Sequence, residues 1–110
     1  MIRSLEEFLK AYEDCFSANL PPDVEAGECF YDDLRESVAD GFDNRLTGQM
    51  ENLGILYTFG GMLVINAMAI RVLKRMRTEG KDLTGEGFRR EIEVSRDLYH
   101  LDEEAEMASY

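Results

Sequence analysis

Few side chains in this 110-residue chain could do chemistry, and their spacing limits what that chemistry could be. His100 is the single histidine. On a helix its angle groups it with Arg89, Glu93 and Arg96 on a polar side, and Ser95, five residues earlier, lies off the face that a nucleophile and its base would share. No nucleophile elbow and no H-E-x-x-H motif accompanies it, so no reaction class can be written and the chain reads as non-enzymatic. Cys15 and Cys29 stand fourteen positions apart with no C-x-x-C and no clustered histidine, which cannot make a closed zinc site. They allow one disulfide, but read more simply as two thiols of a reducing cytoplasm. Asp40 to Glu51 has the length and the end residues of a calcium loop. Phe42 and Arg45, however, occupy places that need an oxygen ligand and the turn glycine. Gly85-Glu86-Gly87 has no preceding strand and no third glycine, so it is a helix start and not a phosphate loop. No metal and no cofactor is expected.

The acidic side chains point elsewhere. The formal net charge is −11, and it is unevenly spread: residues 1–51 carry a net of −9, residues 52–78 carry +4 with no acid at all, and residues 79–110 carry −6. A surface this negative repels phosphate, which argues against direct nucleic-acid binding and favours a protein partner with a basic surface. Read as one helix, residues 25–43 project Glu25, Glu28, Asp32, Glu36, Asp40 and Asp43 from one side. Phe30, Leu34, Val38 and Phe42 project from the other. Like charges three and four apart each cost about 0.2–0.5 kcal/mol on a helix. Interspersed lysines would relieve that cost, yet only Arg35 lies near the stripe. The spacing of about 5–6 Å between neighbours resembles a row of phosphates. These six acids are the candidate partner-binding residues, weighed against a plain solvated face that keeps the protein soluble.

Helical periodicity supplies the elements that would carry them. Ser4-Leu5-Glu6-Glu7 fits the S-x-x-E capping box. After it Leu5, Phe8, Leu9, Tyr12, Cys15, Phe16 and Leu20 recur at three- and four-residue spacing until Pro21-Pro22 stops the helix. A third helix, capped by Asp43 or Thr47, carries Leu46, Met50, Leu53 and Tyr57. Met62 to Arg77 reads as a central helix on which Met62, Ile65, Ala69, Val72 and Met76 form one stripe flanked by Ile70 and Leu73. Gly80 ends it, and Arg71, Lys74, Arg75 and Arg77 complement the helix dipole in its last turns. Thr84 caps a last helix through Phe88 and Ile92 to about Leu101, and the acidic tail 102–110 is expected to fray. The fold expected is therefore all-α, a compact four- to five-helix bundle around a hydrophobic helix at about 62–78, in a single domain over 1–110. Two rivals concern the same apolar run. Residues 55–65 could form a hairpin about Gly60-Gly61. Alternatively Asn52 to Ile70, nineteen residues without a charge, could span a bilayer. Asn52, Thr58, Asn66 and the two glycines speak for a buried helix over a membrane span, and Glu6 and Glu7 speak against a signal peptide and for the cytoplasm.

In size and charge the chain looks like many small phage-encoded inhibitors, anti-CRISPR proteins among them, although it carries no family motif. That likeness of type implies an acidic decoy that occludes the basic nucleic-acid-binding surface of a partner. The alternative is a helical adaptor or assembly subunit that binds through apolar patches. Because no closed metal site can be assembled, a chelator is expected to leave the melting temperature unchanged, and so is a reductant. A drop of many degrees with either would show that Cys15 and Cys29 have another role.

Overall fold

Local signals start most of the elements where the sequence puts them. In the computed structural model, which describes residues 1–21, 24 and 26–94, helix α1 runs over Leu5–Tyr12. Ser4 Oγ accepts the Glu7 backbone N–H, the N-cap half of the capping box, and donates to the Glu7 carboxylate, each at 3.2 Å. Leu5, Phe8, Leu9 and Tyr12 are buried. The chain then widens into a π-helical turn, Glu13–Ser17, which rotates the residues after Tyr12 relative to the apolar face. Cys15 is carried out to solvent, and Phe16 is left half-buried with its ring 5.5 Å from that of Tyr12.

The middle of the chain overturns the all-α bundle. The fold is mixed α/β, with a three-stranded antiparallel sheet of order β1-β3-β2 among the helices. Strand β2, Leu56–Phe59, and strand β3, Met62–Ile65, form a hairpin around Gly60-Gly61. Both glycines have positive φ, +60° and +80°, the requirement of the tight two-residue turn whose twist matches its strands. The expected central helix over 62–78 therefore loses its first turn to β3. A run that is apolar nearly all round has no period to separate helix from strand. Adjacent glycines and the Leu-Tyr-Thr-Phe and Leu-Val-Ile runs then decide it.

Asn66 joins the two structures. Its Oδ1 accepts from Met68 N–H at 3.0 Å and caps helix α4, Ala67–Thr78. Its Nδ2 donates to the Gly54 carbonyl at 3.0 Å, and its backbone N–H donates to the Ile55 carbonyl at 2.8 Å. One residue thus ends β3, begins α4 and ties down the base of the hairpin. At the other end Gly80, at φ +72°, donates to the Arg77 carbonyl at 3.1 Å while Lys81 N–H reaches Met76 at 2.9 Å. This is the left-handed stop anticipated for that glycine.

The free side of β3 takes strand β1, Cys29–Phe30, with Cys29 opposite Ile65 and Phe30 opposite Val64. Extended backbone there delays the second helix, so α2 spans only Tyr31–Ser37 and not residues 25–43. Ser37 Oγ bonds back to the Leu34 carbonyl at 2.7 Å, and Val38 leaves the helix in an extended conformation. Asp43, not Thr47, caps α3, Asn44–Asn52, accepting from Arg45 N–H at 2.9 Å. Residues 85–94 form helix α5, begun by Thr84, whose Oγ1 accepts from Gly87 N–H at 3.0 Å. Its expected continuation to Leu101 and the tail 102–110 lie outside the described residues.

One hydrophobic cluster joins these elements: Phe8, Leu9 and Tyr12 of α1, Leu56 and Ile65 of the sheet, Ile70, Leu73 and Met76 of α4, and Phe88 of α5. The stripe expected on the central helix is thus buried from Ala69 onward. Phe42 closes the cluster beside a parallel bridge to Ile2, its ring 6.5 Å from Phe8 and 5.3 Å from Tyr31. The uncharged stretch is divided between hairpin and helix, and no helix among the described residues is long and apolar enough to cross a membrane. Ile70→Ala is expected to cost about 2–5 kcal/mol in urea denaturation, as for a fully buried aliphatic side chain. Asn66→Ala should cost about 1–2 kcal/mol through the lost cap and clamp. An Asn66→Ala variant as stable as wild type would refute that double role.

Candidate protein-binding surface

Shortening α2 redistributes the six candidate acids. Asp32 and Glu36 remain one turn apart on the exposed side of α2, opposite the buried Tyr31 and Leu34. Glu28 is exposed just before β1, and Asp40 is exposed in the turn after α2. Asp43 is occupied as the cap of α3, so its carboxylate is turned to a backbone N–H. Glu25 lies outside the described residues, as does His100. The structure thus brings together Asp32 and Glu36, with Glu28 and Asp40 at either end, and not a single six-residue stripe. The periodicity missed Asp33, which is also exposed on α2. Its signal is present in the sequence, since Asp33 and Glu36 are three apart on any helix that starts at Tyr31. Beside these acids lies an open cleft of about 490 Å³, bordered by Asp32, Arg35, Asp40, Phe42 and Thr47. The Tyr31 hydroxyl and Thr47 Oγ1 share a 2.8 Å hydrogen bond at its edge.

The ion pairs among the described residues lie away from the α2 acids. Around the meeting of α4 and α5 several acids and bases are paired. Arg77 grips Glu13 with both guanidinium nitrogens, at 2.5 and 2.8 Å, and Arg75 reaches Glu91 at 3.3 Å. Lys81 pairs with Glu91 and, at 3.1 Å, with Glu79, and Arg90 meets Glu86 at 2.9 Å. Hydrogen bonding to Arg77 holds the Glu13 carboxyl below the usual range, and hydrogen bonding to Lys81 does the same for Glu91. Among the described residues, by contrast, Glu28, Asp32, Asp33 and Glu36 make no ion pair, and neither does Arg35.

Two further titratable groups are shifted by burial. Burial pushes the Tyr12 phenol up to about 12, with the Cys29 thiol beside it adding to the shift, and burial also raises the Cys29 thiol. Both effects favour the neutral, unreactive forms at neutral pH. Among the described residues no three His, Cys, Asp or Glu side chains gather in a way that could hold a metal. A second exposed region was not anticipated at all. Tyr57, expected on the apolar face of the third helix, is 44 % exposed in β2, and Phe59 is 66 % exposed beside it. No protein-family model, no curated protein and no solved structure matches this chain.

The depressed Glu13 value has a definite sign in folding. A carboxylate whose folded pKa lies below its unfolded value adds stability that is complete above the unfolded pKa and is lost as pH falls through the folded one. Glu13→Gln is therefore expected to be less stable than wild type at neutral pH, with the difference closing below about pH 4. A gap that persists undiminished into acid would mean that packing, not the Arg77 pair, is what the substitution removes.

Proposed function

We propose that this chain is a non-enzymatic protein-binding domain, an acidic module that engages a basic surface of another protein through α2 and the segments flanking it. In its most concrete form it is an inhibitor that occludes the nucleic-acid-binding surface of its partner in the cytoplasm. The observation that carries this reading is the set of exposed, unpaired carboxylates Glu28, Asp32, Asp33 and Glu36, in a protein that pairs Glu79, Glu86 and Glu91 around α4 and α5. Unpaired exposed charges raise the on-rate for an oppositely charged surface and cost little to desolvate at the rim of an interface. The separation of about 5–6 Å between helix neighbours such as Asp32 and Glu36 suits a surface adapted to successive phosphates. Asp40, 3.7 Å from the N-terminal ammonium, borders the cleft past the end of α2, and that cleft offers Phe42 as an apolar anchor. Asp43 has no part in the contact, because its carboxylate caps α3.

The test compares two triple reversals of equal charge. In one, Asp32, Asp33 and Glu36 are replaced by Lys; in the other, Glu103, Glu104 and Glu106 are. Proteins bound by the wild-type chain in its native cell are identified by cross-linking and mass spectrometry, and the partner is then purified. Wild-type binding should weaken steeply as salt is added, since exposed charges are screened beyond about 8–10 Å at physiological ionic strength. It should also compete with nucleic acid. The α2 reversal should abolish binding while the circular dichroism spectrum stays unchanged, and the tail reversal should leave most of it. Equal loss in both variants would reduce the effect to overall charge, and no loss in either would refute the proposal.

A further inference from the structure

The hairpin has an open edge that the acidic face does not explain. In the order β1-β3-β2, strand β2 has a neighbour on one side only among the described residues. The hairpin register pairs Phe59 with Met62 across the turn and Tyr57 with Val64, while Ile55 accepts from Asn66. By the alternation of an antiparallel ladder, residues 55, 57 and 59 direct their backbone groups at β3, and residues 56 and 58 direct theirs outward. Leu56 is 2 % exposed, so its outward groups are sealed. Thr58 is exposed, and its N–H and C=O face the open side.

Nothing protects that edge in the usual ways. Natural edge strands carry Lys, Pro, a bulge or an inward charge to prevent pairing with another chain. Here no charged residue occurs from Asn52 to Ile70, no proline interrupts the strand and the pairing with β3 is regular. Tyr57 and Phe59 stand on one face of the sheet with Met62 beside them, 44, 66 and 44 % exposed. Aromatic residues and Met are enriched in interface cores, where charge is depleted.

From these features we infer that β2 is the seam of a symmetric homodimer. Two copies meet antiparallel about an axis through Thr58. The Thr58 N–H of each copy donates to the Thr58 carbonyl of the other, and Tyr57 of each packs across the seam on the other's Phe59. The self-complementary register makes the second copy the occupant, and charge confines where it can sit. With a net charge of −11 on each chain, two copies repel wherever their acidic faces approach, and the hairpin is the stretch where they meet without like charge. A basic partner, by contrast, gains no electrostatic attraction at an uncharged edge and is drawn to α2 instead. The pairing is isologous, so it closes at two copies and does not propagate. It does not depend on the acidic-face reading.

Sedimentation equilibrium of the full chain, from micromolar to millimolar concentration, tests this. The wild type should shift toward twice its 12.6 kDa mass as concentration rises, and added salt should strengthen the dimer by screening net repulsion. Salt therefore acts here in the opposite direction from its effect on a basic partner. Thr58→Pro removes the seam donor without touching a bond to β3, and Phe59→Lys sets like charges near the axis. Each should abolish the dimer with an unchanged circular dichroism spectrum, while reversal of Asp32, Asp33 and Glu36 should retain it. Should Thr58→Pro perturb the hairpin, the loss with Phe59→Lys decides. A wild-type chain that is monomeric throughout overturns the inference, as does a dimer that survives Phe59→Lys.

Discussion

The pairing of Ile65 and Val64 with Cys29 and Phe30 on one side, and with Leu56 and Tyr57 on the other, is the constraint to which the other elements conform. Because β3 is the central strand, the residues before Tyr31 are extended and α2 cannot begin sooner. Because β3 ends at Ile65, α4 starts at a capped Asn66 and aims Ile70, Leu73 and Met76 into the same cluster that α1 reaches with Phe8 and Leu9. The sheet is small, yet it fixes where two helices begin, and through α2 it fixes which carboxylates stand together.

Charge then sorts itself around that frame. The cations of the late chain are drawn into pairs at the α4–α5 corner, where Arg77 reaches back to Glu13 on the π-helical turn. Exposed pairs of this kind contribute little each, about 0–1 kcal/mol. The early chain has thirteen acids and four bases, and Asp32, Asp33 and Glu36 on α2 make no ion pair.

Much of this is legible locally, and the misreadings have physical sources. Ser4, Thr84, Gly80 and Asp43 act where their side chains or backbone freedom predict, because a cap depends on residues within a turn or two. The buried stripe from Ala69 to Met76 comes from helical period alone. Residues 55–65 do not yield to it, since an all-apolar run satisfies helix and strand alike, and only the two glycines favour the hairpin. The second helix is misjudged for a different reason. Glu25 to Asp43 has a sound amphipathic pattern, but Cys29 and Phe30 are claimed by β3, and a pairing across that distance leaves no local mark. The candidate acids are accordingly rearranged: Asp32 and Glu36 stay one turn apart, Asp33 joins them, and Asp43 caps α3.

The same β1–β3 pairing dictates an order of assembly. Leu56 to Phe59 meet Met62 to Ile65 across two glycines, a loop that closes at small entropic cost. Cys29 and Ile65 are 36 positions apart, and β1 gains nothing until β3 exists to receive it. On a growing chain the acid-laden first half therefore emerges without the template that shapes it. It waits as a string of mutually repelling carboxylates, and the uncharged hairpin, arriving later, converts that waiting segment into a surface. Timing, in this molecule, runs against sequence order: the middle instructs the beginning.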